Sequence, residues 1–184
     1  MKKSVNVKKI VLSAVFMAAA IILQLIGRTF VEVNPLLIGP LINTVILLTT
    51  YICGLTCGIL ISILTPVAAA LLGALSPMLV PFVPFIIIGN IVFSVVFATF
   101  MKKKKIGLYL GVVLSSIAKF LFLSFSATKL VYMINLKISE KSLKMIAAAF
   151  TTPQLVTALL GGVIAIIILK LLEKRKIALP NQLH

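Results

Sequence analysis

Six apolar stretches, separated by basic, prolyl or glycyl residues, account for most of this chain, over residues 9–29, 40–53, 57–72, 83–101, 106–134 and 143–172. A helix that crosses a bilayer needs about 20 predominantly apolar residues, with some latitude where the bilayer adapts. The pattern therefore predicts an all-α integral membrane protein, a single domain over residues 1–184 with six transmembrane helices. The second and third stretches are short. Gly54 and Gly58 between them, with Pro40 and Pro66, predict a tight hairpin rather than one long helix. The first stretch has a basic flank like that of a signal peptide but lacks a convincing cleavage site, and is read as a retained span.

Composition supports this reading and charge orients it. Hydrophobic residues make up 61% of the chain, and mean hydropathy is +1.25, beyond what a soluble domain carries. The net charge of +15 does not point to nucleic acid, because the basic residues cluster at the ends of apolar runs and form no stripe interleaved with aromatics. Lys2, Lys3, Lys8 and Lys9 precede the first stretch, Lys102 to Lys105 join the fourth and fifth, and Lys170, Lys174, Arg175 and Lys176 close the sixth. Basic residues mark the cytoplasmic side. Six spans with all three clusters inside place both termini in the cytoplasm and leave Arg28, Lys137, Lys141 and Lys144 outside. The longer connections, residues 28–39, 73–82 and 135–142, then face outward, so a bound molecule enters from outside.

The acids exclude several mechanisms. Only Glu32, Glu140 and Glu173 occur, in connections or at a helix end, which removes the intramembrane carboxylate that ion-driven carriers commonly use. No Gly-x-x-x-x-Gly-Lys-Ser/Thr loop is present to bind ATP. Cys53 and Cys57, without His, Asp or Glu neighbours, make at most half a metal site, so neither metal nor cofactor is expected.

Against this apolar background Lys119 stands out, thirteen residues beyond Ile106 and so roughly 20 Å into a hydrocarbon layer of about 30 Å. It is too deep for easy snorkelling. An ionisable residue there is by default a functional site. The same rise places Asn90 and Gln154 at the outer half or midplane, and these three are the predicted substrate contacts, with interhelical hydrogen bonding the competing role for the two amides. Ser115, Lys119, Ser126 and Lys129 share one helical stripe; the bland alternative is that the serines bond preceding carbonyls and Lys129 snorkels. On the first stretch, Ala14 and Ala18 form a small-x-x-x-small pair that serves either bundle packing or docking of another membrane subunit.

With these features the chain resembles the substrate-binding S components of the energy-coupling factor transporters, vitamin importers of bacterial and archaeal cell membranes. The resemblance covers the whole chain and rests on its size and six spans, Ala14 and Ala18, residues 39–43 with Gly39, Pro40 and Asn43, Gly89-Asn90, Pro153-Gln154-Leu155, Thr157-Ala158 and Gly161-Gly162. It implies a subunit that captures a vitamin or related micronutrient and docks on a transmembrane coupling subunit driven by two cytoplasmic ATPases. Ala14 and Ala18 would meet the coupling subunit, and Asn90, Lys119 and Gln154 would line the cavity. Lys119 favours an anionic or acceptor-rich solute. A self-contained channel would need a polar path through both halves, and an enzyme acting on lipid phosphates would need acids or a nucleophile; the single histidine is His184.

Overall fold

The computed structural model describes residues 7–29, 34–101, 106–131 and 139–175. Lys2, Lys3, Glu32, Lys102 to Lys105, Lys137 and Lys176 lie outside these. The described residues are helical throughout, apart from short turns and bends: α1 (Val7–Thr29), α2 (Asn34–Cys53), α3 (Leu55–Leu71), a 3-10 turn (Pro77–Phe82), α4 (Val83–Phe100), α5 (Gly107–Phe125) continued by a π-helical turn (Ser126–Leu130), α6 (Glu140–Phe150) and α7 (Thr152–Lys174). Five helical stretches are long and apolar enough to cross a membrane: Val7–Arg28, Leu36–Cys53, Pro77–Phe100, Gly107–Leu130 and Glu140–Lys174. The sixth apolar helix, Leu55–Leu71, is shorter, at 17 residues.

Three boundaries have identifiable causes, and two of them, the start of α2 and the break before α7, differ from expectation. First, α2 begins at Asn34 and runs through Pro40, which forfeits one backbone bond; a membrane helix tolerates this when nearby hydroxyls and neighbouring helices re-satisfy the carbonyls. Second, α2 and α3 are separated at Gly54, whose φ of +100° suits glycine, and Gly58 packs directly against Thr50 across the hairpin. Third, the last apolar stretch is two helices, because Thr151 leaves helical geometry just before Pro153, where the next helix starts. The result is a short amphipathic α6, with Ser142, Ile146 and Phe150 turned inward and Lys141 and Lys144 exposed.

Two hydrophobic clusters divide the bundle along its length. The larger joins Leu12 and Phe16 of α1, Cys53 of α2, Phe93 and Phe97 of α4, Leu108 and Val112 of α5, and Leu169 and Leu172 of α7. At this end Tyr51 donates to Glu173 Oε1 at 3.3 Å, and the Lys170 ammonium lies 5.1 Å from the Tyr109 ring centre. The described members of the first and third basic clusters therefore share one end of the molecule. The smaller cluster, at the opposite end, gathers Phe82, Phe85, Leu123, Val131, Ile146 and Phe150, so that α6 and the 3-10 turn cap the bundle.

Close backbone approach holds α7 in place. A methyl group added at Gly161 would stand 2.5 Å from the Pro40 carbonyl oxygen and 2.7 Å from Asn43 Cβ, so only glycine admits α2 here. Gly162 meets Val112 of α5 as closely. The Thr44 hydroxyl lies 2.9 Å from both the Pro40 and Gly161 carbonyls, joining the two backbones. Small residues at crossings are how helices pack where lipid removes the hydrophobic drive.

Candidate functional site

The site is built around the middle of α5. Counting from Gly107, Lys119 is twelve residues in, and the helical path continues twelve residues further to Val131. It therefore sits midway along the bundle rather than in one half. Its side chain is 3% exposed, and the ammonium donates to Asn43 Oδ1 of α2 at 2.6 Å while lying 5.0 Å from the Phe93 ring centre of α4. An ammonium has three donors and no acceptor. Asn43 and the weakly attracting face of Phe93 are its partners among the described residues, and the described glutamates are remote, Glu140 opening α6 and Glu173 in the last turn of α7. The charge is thus buried with a neutral amide and, among the described residues, no counter-ion.

Asn43 belongs to this site although sequence reasoning did not pair it with Lys119. The two are 76 positions apart and meet only because Gly161 lets α2 approach α7 beside the α5 crossing. Its signal was its depth. It lies nine residues into a 20-residue apolar helix, one of the few amides so placed.

Asn90 is drawn toward another task. Pro66 in α3 has no N–H to donate to the Ser62 carbonyl four residues earlier. Asn90 Nδ2 reaches that carbonyl at 3.4 Å, Ser62 Oγ donates to the Asn90 carbonyl at 3.1 Å, and Ser62 and Ser94 hydroxyls are 2.8 Å apart. Asn90 thereby replaces the donor that proline deletes and braces α3 against α4, while its amide oxygen makes no bond among the described residues. No described contact joins Asn90 to Lys119.

Gln154 enters the bundle by a different route from the one expected. Because the chain breaks at Thr151, Gln154 is in the first turn of α7 rather than ten residues into a long span. It is half-buried, and its Oε1 accepts from Thr157 Oγ1 at 3.2 Å, leaving the amide nitrogen available. Gly162, eight residues on, packs against Val112, seven residues before Lys119 on the antiparallel α5, so Gln154 lies roughly level with the Lys119 backbone.

The α5 stripe splits. Ser115 bonds the Val112 carbonyl at 3.1 Å, as a serine in a helix often does, and Lys129 is exposed. Ser116 and Ser126 are fully buried, and their hydroxyls have no partner among the described residues. Ser126 opens the π-helical turn, a distortion that recurs at functional sites.

Ala14 and Ala18 face away from the bundle's interior. Both are exposed on α1, on one stripe with Val11, Val15, Ile22 and Leu25, whereas Ala20 is buried. Little of α1 is buried where most of α2 is, so α1 lies at the periphery, packed against α2 and α3.

Residues 8–173 match the family described as "ECF transporter, substrate-specific component". The chain belongs to this family. Neither a curated relative nor a solved structure matches it. As a substrate-specific transporter subunit, an S component belongs in a multi-pass membrane assembly, and its task is recognition of a small solute in association with transmembrane and ATPase modules.

Pro66 and Asn90 make a separable prediction. Asn90→Ala, which leaves the Ser62 carbonyl short of a donor, lowers the stability of the ligand-free protein by about 1 to 3 kcal/mol. In a Pro66→Ala background, where the helix supplies its own N–H, the same substitution costs less; thermal unfolding of the four variants in detergent measures the difference. Equal costs in both backgrounds would mean that Asn90 does not replace the proline's missing donor.

Proposed function

We propose that this S component is the high-affinity binding subunit of an ATP-driven importer for a vitamin or related micronutrient carrying an anionic or acceptor-rich group. In this reading the chain crosses a bacterial or archaeal cell membrane six times with both termini in the cytoplasm. The solute enters at the end capped by α6, and the basic clusters lie on the cytoplasmic side. The observation that carries the proposal is the counter-ion-free burial of Lys119. Holding an ammonium in the middle of a helical bundle costs a few kcal/mol even on translocon-based scales. One bond to a neutral amide offsets part of that cost, and an incoming anion offsets more because a charge-assisted hydrogen bond is roughly twice as strong as a neutral one.

Lys119 is the anchor, Asn43 orients it, and Gln154 and the spare oxygen of Asn90 are the further substrate contacts. The Lys119–Asn43 contact bridges α5 and α2 in the middle of the bundle, which favours a binding subunit over a self-contained channel. The peripheral stripe of α1 around Ala14 and Ala18 is the docking face for the transmembrane coupling subunit, whose two cytoplasmic ATPases supply the energy. Small residues there allow a partner helix to approach closely.

Two substitutions test the two surfaces. Lys119→Met lowers equilibrium binding of the transported solute at least tenfold, about 1.4 kcal/mol, with membrane insertion intact; unchanged affinity would remove Lys119 from the site. Ala14→Trp abolishes uptake by the assembled transporter and spares solute binding. Loss of binding instead would assign the alanines to the packing of the bundle.

A further inference from the structure

At the basic end of the bundle, α5 and α7 run antiparallel and meet where Gly162 packs against Val112. The next residue on each helix, Val113 and Val163, is exposed, so the crossing opens on its outer side into an apolar furrow. Along α7 the exposed positions Val163, Ile167, Lys170 and Lys174 recur at intervals of four, three and four, which places them on one stripe of the helix surface. The stripe is apolar toward the middle of the bundle and ends in two ammonium groups.

Lys170 reaches across this furrow: its ammonium lies 5.1 Å from the centre of the Tyr109 ring on α5. A ring face attracts a cation and leaves its charge uncancelled. Neither Lys170 nor Lys174 pairs with a carboxylate among the described residues, and Glu173 beside them accepts from Tyr51 of α2. The Tyr109 hydroxyl likewise has no hydrogen-bond partner among the described residues. Two cations and a phenolic donor thus stand at the mouth of an apolar furrow, at the end of the helices, where tyrosine and lysine meet the headgroups of a bilayer.

A soluble anion would engage the cations and leave the furrow empty. An apolar helix would fill the furrow and leave both ammonium groups without a counter-ion. A lipid with a net negative headgroup satisfies both halves. We infer that the furrow between α5 and α7 binds one anionic phospholipid of the cytoplasmic leaflet, its phosphate held by Lys170, Lys174 and the Tyr109 hydroxyl and one acyl chain lying along Ile167 and Val163 against Val113. Only the leaflet rests on the proposed orientation of the chain; the site itself does not. A zwitterionic lipid fits the furrow equally but brings its own cation to the ammonium groups, so selection resides in the headgroup. Because α1 packs against α2 and α3, the lipid and the proposed docking stripe occupy different faces of the bundle.

The test titrates the full chain in detergent with dioleoylphosphatidylglycerol or dioleoylphosphatidylcholine and reads the one-to-one complex by native mass spectrometry. The glycerol lipid binds the wild type at least fivefold tighter. The double substitution Lys170→Gln and Lys174→Gln abolishes that preference, whereas Lys141→Gln with Lys144→Gln, the same change of charge at the other end of the bundle, leaves it intact. Val163→Trp, which fills the furrow and keeps both lysines, weakens binding of both lipids. Equal affinity of the wild type for the two lipids, a preference that survives loss of Lys170 and Lys174, or undiminished binding to Val163→Trp would overturn the inference. Equal loss in the two double variants would overturn it as well, by assigning the preference to net charge. Protease access to the C-terminus in sealed right-side-out vesicles judges the orientation separately, so a wrong leaflet is distinguishable from an absent site.

Discussion

The 2.6 Å hydrogen bond from Lys119 to Asn43 joins the one described helix of spanning length with a charge at its centre to the helix that forms the core of the bundle. Its geometry depends on features far apart in the chain. Gly161 must be glycine for α2 to lie against α7, Gly162 must be glycine for α5 to approach the same helix, and Phe93 of α4 covers the ammonium from a third side. Three helices thus meet at one nitrogen, and α7 holds two of them together. With a carboxylate in Asn43's place the site would be a neutral ion pair, complete in itself. With an amide, the positive charge is positioned but not cancelled, which is the condition for binding an anion strongly and releasing it when the helices move.

Elsewhere the same constraint, that polar groups in an apolar bundle need partners inside the protein, is met by local substitution. Hydroxyls of Thr44, Thr49, Thr50 and Thr65 turn back to carbonyls four residues earlier. Asn90 covers the carbonyl that Pro66 strands, and Gln24 Nε2 of α1 reaches the Thr65 carbonyl one residue away at 2.8 Å. This thoroughness makes the exceptions informative. Gln24 Oε1, Ser116 Oγ and Ser126 Oγ are the described buried side-chain atoms left without a partner, and two of the three flank Lys119 on α5.

Much of this was legible in the sequence, and what was not has physical causes. The apolar segments, the Gly54 hairpin and the anomaly of Lys119 follow from hydropathy and glycine chemistry, which act locally. The partner of Lys119 was hidden because an interhelical contact across 76 residues leaves no periodic trace. The start of the last helix was misplaced because residues 143–172 are apolar enough for one span, and the break comes from a single non-helical residue, Thr151, ahead of Pro153. For Asn90, depth in an apolar helix points to interhelical bonding as readily as to a ligand, but its tie to Pro66 depends on α3 and α4 being neighbours. Sequence could not decide whether Ala14 and Ala18 face inward or outward, since small residues favour close packing in either setting; their exposure resolves the direction they face.

The central claim is that the buried charge on Lys119 is held for an anionic solute, and the most direct measurement is mass spectrometry of the small molecule retained by the full chain purified gently from the membrane. The account predicts one molecule per chain, bearing a carboxylate and no positive charge. Retention of a cationic or wholly apolar molecule in that stoichiometry would contradict it.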